Sequence, residues 1–380
     1  MKILYLNTTY SGGGAEQVTR QIYEGMKRRG HEVFEIVCYN LRGEITDPDV
    51  HVLYRSIPEK ILQRAQTGNR GNNNLTIPYA LHYIRAFIRR NEIDVVHLHN
   101  PHDSFLGIRD IRTIAEQCPM VWTLHDFWAL TGHCASPYGC DDRWTGGCPV
   151  CEHLENYPRL RKDVSAEQFR RKEQYLTGAG IHFTVPSEWM RGQVARSCLR
   201  EENCTVICNS LDSSVWACPD KMQIREKYGL RTDKFVLAFV AADMAKPLKG
   251  MRLLADALRF LDPERFLLVT AGDSTGEMRS LFARFETVSL GYLREQEKMN
   301  EFYALADILV NPSVYETFGL VNIEAMASGT PVLAFRVCAM PEVVGEEAGW
   351  CVPEVTARAL SEKLAYLECH REEVEQKAKR

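Results

Sequence analysis

Glu316 and Glu324 stand eight positions apart in a segment, 311–326, that reads as the end of a strand, a loop and the start of a helix. Backbone N–H groups at a helix start lack partners inside the helix and carry a partial positive charge. Those of Thr317, Phe318, Gly319 and Leu320 can therefore hold a diphosphate. Gly319, with no Cβ, lets such a ligand come close to the backbone. At helical rise throughout, the two carboxylates would be roughly 12 Å apart, well beyond the about 5 to 5.5 Å of a retaining glycosidase pair. That separation suits the two ends of one nucleotide-sugar. The plain alternative is two ordinary surface glutamates, and the full string speaks against it.

Three further groups carry chemistry. Lys249-Gly250 follows an apolar run at 235–240, where a cation can neutralise a leaving diphosphate; the alternative is a solvent lysine opening a helix. His125-Asp126 follows another apolar run, at 120–124, at the carboxyl end of a strand, where ligands of open parallel sheets sit. Cys134, Cys140, Cys148 and Cys151 form a Cys-x5-Cys-x7-Cys-x2-Cys series. Four thiolates so close can complete a tetrahedral, structural zinc site. Free thiols are the second reading, and disulfides or an iron–sulfur cluster the third.

The elements that must position these groups alternate along the chain. A strand at 2–7 leads through Gly12-Gly13-Gly14 into a helix on which Val18, Ile22 and Met26 recur every four residues, with Gly30 as its stop. A strand at 31–37 follows. The rhythm continues with a helix near 81–90, a strand at 94–99, a helix near 108–117 and a strand at 120–124. A second series runs from 235 to 335 in the same way. Such alternation predicts an α/β chain with two doubly wound, Rossmann-like parallel-sheet domains, 1–210 and 211–380. The polar run 66–74 reads as a surface loop, and the charged tail 362–380 as one solvated helix.

Composition narrows the function. The 380 residues exceed what one core usually supports. A net charge of −4 gives no electrostatic reason to expect nucleic-acid binding. The opening 1–7 is too short for a signal-peptide apolar region and no run of about 18 apolar residues occurs, so a cytoplasmic chain is expected. Thirteen cysteines, an odd number without an export signal, make reduced thiols the default. The basic stretches 159–162 and 170–172 are interleaved with Asp163, Glu167 and Glu173 and read first as a solvated helix face. The second reading is a peripheral contact with an anionic membrane surface that carries a lipid-linked acceptor.

The string from Glu316 through Thr317-Phe318-Gly319 to Glu324, continued by Ala325-Met326-Ala327-Ser328-Gly329-Thr330-Pro331-Val332, resembles the retaining glycosyltransferases of family 4, and the resemblance covers nearly the whole chain. It implies the GT-B fold, two Rossmann-like domains facing across a cleft, with the acceptor side first and the sugar-nucleotide domain second. It assigns Glu316 to hydroxyls of the transferred sugar, Glu324 to the ribose, and the amides around Phe318 and Gly319 to the diphosphate and sugar. Lys249 falls to the leaving group, and His125 to the donor sugar. Gly12, Gly13 and Gly14 match the family's glycine loop, which faces the donor phosphates. His97 and His99, before Asn100, match a family pattern read here as packing and cleft shaping.

The family's arginine about five residues ahead of the lysine is replaced by Met244, with Lys246 as a shifted substitute. The cysteine segment is similar to that of exopolysaccharide glycosyltransferases of the colanic acid kind. The resemblance implies retaining transfer from a nucleoside-diphosphate sugar to a hydroxyl of a glycan or lipid-linked acceptor, with no metal cofactor required. An epimerase or phosphorylase on the same fold is disfavoured by the intact string. A non-catalytic sugar-nucleotide-binding subunit of a glycan synthase is the competing reading. It draws on Met244 and on the chain's ending at Arg380, before the final helix that family members commonly carry.

Overall fold

The computed structural model describes residues 1–40, 44–53, 79–102, 105–212, 215–230, 233–243, 246–273, 276 and 280–379. The polar run 66–74 and Met244 lie outside them. The chain divides into two compact units, Met1–Cys208 and Asn209–Arg380.

Unit 1 begins with β1 (Lys2–Thr9), α1 (Gly14–Arg28), β2 (Glu32–Tyr39), β3 (Val50–Val52), α2 (Ala80–Asn91), β4 (Val95–Leu98), α3 (Ile108–Ala115) and β5 (Met120–Thr123). It ends with α4 (Ser165–Leu176), β6 (Ile181–Val185), α5 (Glu188–Val194) and β7 (Cys204–Val206). All pairings are parallel, in the order β3-β2-β1-β4-β5-β6-β7. β1 is central, with Ile3, Leu4, Tyr5 and Leu6 all buried, because helices on both faces leave no wet side to alternate toward. In α1, the Glu16 carboxylate accepts the Gly13 N–H at 2.7 Å, so part of the glycine loop closes the helix start.

Unit 2 contains α6 (Lys221–Lys227), β8 (Phe235–Asp243), α7 (Met251–Leu258), β9 (Phe266–Asp273), β10 (Glu286–Ser289), α8 (Gln296–Ala304), β11 (Ile308–Asn311) and α9 (Leu320–Ala327). It closes with β12 (Val332–Phe335), α10 (Met340–Val344), β13 (Gly349–Val352), α11 (Ala357–Cys369) and α12 (Arg371–Ala378). Its parallel sheet runs β10-β9-β8-β11-β12-β13. Along β8 the side chains of Phe235, Leu237 and Phe239 enter one core, and those of Val236 and Ala238 the other. Period-two alternation with both faces buried is what a sheet covered by helices requires.

The tail corrects an expectation. It forms α11 and α12, broken at His370, rather than one solvated helix. Leu364, Leu367 and Val374 are buried in the core beside Leu254, and this apolar stripe outweighs the charge of the remaining positions.

Candidate active site

In unit 2 the strand order reverses between β8 and β11, and ligands of such sheets collect beyond the carboxyl ends of the strands at that point. Two loops meet there. The loop after β8 makes a single 3₁₀ turn, Pro247–Lys249, and turns into α7 through Gly250, whose φ is 68°. A Cβ on Gly250 would lie 1.9 Å from the Pro312 carbonyl oxygen, so only glycine allows the loops this close. Val314 N–H donates to Leu248 O at 3.0 Å and ties them.

This arrangement brings Lys249 Nζ to 2.7 Å from Glu316 Oε2, with 36 % and 17 % of the two side chains exposed. Lys246 stands exposed just before that turn. Thr317 is half-buried and Phe318 is buried beside them. Gly319 takes a φ of 82° and starts α9, where its missing Cβ avoids the Asn322 amide, and Leu320 is the first helical residue. Helical rise therefore applies only from Leu320 to Glu324, not across the whole interval between the glutamates.

Glu324 is no ordinary surface carboxylate. Only 4 % of it is exposed, and buried Tyr303 donates its hydroxyl to Oε2 at 2.8 Å. Burial, and then the Glu324 charge, push the Tyr303 hydroxyl well above its ordinary value, so it stays a donor. Asn311 Nδ2 donates to Asn322 Oδ1 at 2.8 Å, fixing the strand end to the helix. Tyr303 was absent from the sequence reading, and Asn311 and Asn322 carried no role in it, since spacing alone does not show which polar side chains meet inside a core.

Unit 1 has its own reversal, between β1 and β4. Asn7 Oδ1 accepts the N–H groups of Thr8 and Asn100, and the Thr8 hydroxyl donates to the His102 carbonyl at 2.7 Å. Around this seam His97 Nε2 lies 2.8 Å from Thr123 Oγ1, and His99 Nδ1 lies 2.8 Å from His125 Nε2. Burial pushes His97 down to about 3 and His125 to about 4, and it drives His99 well below the ordinary histidine value. All three rings are neutral at pH 7, so they exchange hydrogen bonds rather than charge.

His102 Nε2 contacts Asp126 Oδ2 at 2.9 Å, a pair not read from the sequence although His102 lies three residues beyond His99. Burial works to raise the Asp126 carboxyl, but the His102 ring and the Trp128 N–H outweigh it, and the net direction is down.

A family model described as Glycosyltransferase Family 4 matches residues 12–215, more than half of the chain. The chain belongs to glycosyltransferase family 4. A second model, Glycosyl transferases group 1, matches 234–369, which includes Lys249, Glu316 and Glu324. Among curated proteins it is 25 % identical to the putative colanic acid biosynthesis glycosyl transferase WcaC of Escherichia coli, over 93 % of this chain and 88 % of that one. It is also 34 % identical to a D-inositol 3-phosphate glycosyltransferase of Mycobacteroides abscessus, over 39 % of this chain and 35 % of that one.

Among solved structures it resembles sucrose-phosphate synthase from Thermosynechococcus elongatus, with a TM-score of 0.74 and 19 % identity, covering 100 % of this chain and 92 % of that one. Anabaena HepE in complex with UDP-glucose gives a TM-score of 0.70 at 17 % identity, over 100 % and 92 %. These likenesses establish the GT-B fold, with the 7-stranded and 6-stranded parallel sheets as its two Rossmann-like domains.

Other features of this glycosyltransferase lie away from the strand-order reversals. An open depression of about 460 Å³ is lined by Arg336, Trp350, Lys363 and Lys377 among others, and shares no residue with the Lys249–Glu316 loops. Of the basic stretches, Lys172 is fully buried and takes no part in a surface patch. The Asp47-Pro48-Asp49 triplet has the spacing of a metal-binding pair, but Asp47 Oδ2 already takes Tyr23 and Lys27 as partners. No helix among the described residues is long and apolar enough to cross a membrane. Cys134, Cys140, Cys148 and Cys151 stand unbridged around one small cavity.

Proposed function

We propose that this enzyme transfers a sugar from a nucleoside-diphosphate sugar to a hydroxyl of a glycan or lipid-linked acceptor in polysaccharide biosynthesis, with retention at the anomeric carbon. The observation that carries the reading is the Lys249–Glu316 pair beside the start of α9. A partly exposed ion pair is worth about 0 to 1 kcal/mol, so an entering diphosphate opens it at little cost. Lys249 and the amides from Thr317 to Leu320, leading into α9, then take the phosphate oxygens, and Glu316 is released to accept sugar hydroxyls. Glu324, held by Tyr303, is assigned to the ribose.

As the anomeric carbon–oxygen bond loosens into an oxocarbenium-like state, negative charge grows on the departing diphosphate against Lys249 and those amides. The acceptor hydroxyl enters on the same face and gives its proton to the departing phosphate oxygen. His125, neutral at pH 7, serves by hydrogen bonding. Lys246 and the loop of Gly13 and Gly14 are proposed as further phosphate contacts, and the fixed positive groups make an added divalent metal unnecessary for transfer. WcaC, named for colanic acid biosynthesis, supports a polysaccharide acceptor. We place the enzyme in the cytoplasm, with the basic stretch 159–162 as its contact with an anionic membrane.

Thermal shifts with uridine, guanosine and adenosine diphosphates test the donor site, because a ligand of the folded state raises the melting temperature. Uridine diphosphate comes first, since HepE was solved with UDP-glucose. The expected result is one selective shift that is lost in Lys249→Ala and reduced in Glu324→Gln. Absence of any shift would reject the donor site, and a selective shift without sugar transfer would favour the non-catalytic sugar-nucleotide-binding reading. A product of inverted anomeric configuration, or full dependence on manganese, would reject the transfer scheme, and liposomes that fail to prefer anionic lipid would reject the membrane contact.

A further inference from the structure

The segment after Asp126 is a knot of thiols that the transfer chemistry does not use. Cys134, Cys140, Cys148 and Cys151 line a single cavity of about 20 Å³ together with His133. A cavity holds one water once it reaches about 10 to 15 Å³, so this one has room for a single ion. The backbone wraps it through a run of left-handed residues, Gly139, Asp141, Asp142, Gly147 and Cys148. Gly132 N–H donates to Cys148 Sγ at 3.2 Å. His133 is turned by the carbonyl of Pro158, 3.1 Å from Nδ1, so that Nε2 lies 3.3 Å from Cys151 Sγ. The thiols surround the cavity without closing on it: among the described residues, no three side chains already stand at metal-holding separations.

A second observation, from α4, points to what closes it. Lys172 is 0 % exposed. Its ammonium donates to the carbonyls of Trp128, Thr131 and Gly132 and lies 4.1 Å from the Trp128 ring centroid. These contacts satisfy its protons but leave its charge without an ion pair among the described residues. The thiols of Cys134, Cys148 and Cys198 and the Asp126 carboxylate, which His102 already engages, are among the ionisable groups within electrostatic reach of it. A buried cation needs a buried anion, and four thiolates around one divalent ion carry a net charge of −2.

We propose that Cys134, Cys140, Cys148 and Cys151 bind one structural zinc ion, with Lys172 as the buried counter-cation of the tetrathiolate. Zinc suits four soft sulfur donors in a closed tetrahedral site. Binding replaces four S–H protons, which pass to solvent, and involves no change of oxidation state. The ion would brace the segment that begins at His125 and Asp126, since Phe127 N–H already donates to Ala135 O across the knot.

The test uses the full chain purified with reductant. Metal analysis should find about one zinc per chain, and exchange with cobalt(II) should give a thiolate-to-cobalt charge-transfer band of four-sulfur type. Removal by a chelator should lower the melting temperature. Lys172→Met, outside the ligand set, should weaken zinc binding about 10- to 100-fold, as loss of an outer partner does. His133→Gln should keep both the zinc and the band. A folded, reduced chain that takes up no zinc and gives no thiolate band with cobalt would overturn the site, and so would disulfide bonds among these four cysteines in protein purified without reductant. Loss of one sulfur from the band, or loss of the band in His133→Gln, would overturn the four-thiolate assignment. Metal analysis and the cobalt band are read on the wild-type chain, so a Lys172→Met or His133→Gln variant that fails to fold does not blunt the test of the site.

Discussion

The two units share one topology and differ in the electrostatics they build on it. Each is a parallel sheet whose strand order reverses between two central strands, and each gathers polar side chains beyond that reversal. In unit 1 these are buried histidines, with His97 pushed to about 3 and His125 to about 4, linked by neutral hydrogen bonds. In unit 2 a charged pair, Lys249 and Glu316, stays partly exposed next to a helix start. Topology supplies a place for a ligand, and the charge carried there decides which part of the chemistry it can serve. In the proposed transfer, the developing diphosphate charge would fall to the partly exposed Lys249 of unit 2, and the neutral rings of unit 1 could contribute hydrogen bonds only.

That contrast can be broken first at Lys249. Lys249→Ala should lower turnover about 10²- to 10³-fold, the range for losing one preorganised group that faces developing charge, with the melting temperature little changed. Steady-state kinetics with the donor selected by thermal shift would show it, and a loss below tenfold would remove the division of labour. Acid should act on the other unit. The folded values of His97 and His125 lie below the ordinary 6.5, so the unfolded chain takes up protons that folded unit 1 refuses. Stability present above pH 6.5 is therefore lost as pH falls toward 4, by roughly 2 kcal/mol per histidine at pH 5. Calorimetry of wild type against His97→Asn would read this, and an unchanged acid slope in the variant would contradict the buried neutral ring.

Smaller effects sharpen the picture. Tyr303→Phe leaves Glu324 without its hydroxyl donor and should cost about 1.5 kcal/mol of stability while weakening nucleotide binding. Chemical denaturation with a nucleotide titration measures both, and unchanged nucleotide affinity would separate Glu324 from the ribose. His125→Ala should slow transfer only about tenfold, the worth of one neutral hydrogen bond. A thousandfold loss would mean that His125 carries charge after all, contrary to its neutral state at pH 7.

Local elements were largely legible. The alternation of apolar strands and amphipathic helices is written in short-range periodicity, and β1, α1, β8 and β11 fall close to where it predicts them. Short edge strands such as β3 and β7 escaped, because three residues carry too little pattern. The tail misled for a related reason: its charged positions mask Leu364, Leu367 and Val374, whose burial depends on what packs above them.

Lys249 and the glycine at 319 were readable as residue types suited to a diphosphate, and Glu316 as one suited to sugar hydroxyls. That Lys249 and Glu316 touch, 67 positions apart, was not. Composition, period and motif, all local properties, thus determined the α/β class, the two-domain plan and the family. The tertiary structure alone decided the pairings of Tyr303 with Glu324, His99 with His125, and buried Lys172 with the carbonyls of Trp128, Thr131 and Gly132. Burial and partnership depend on chain segments far apart in sequence, and only folding brings them together.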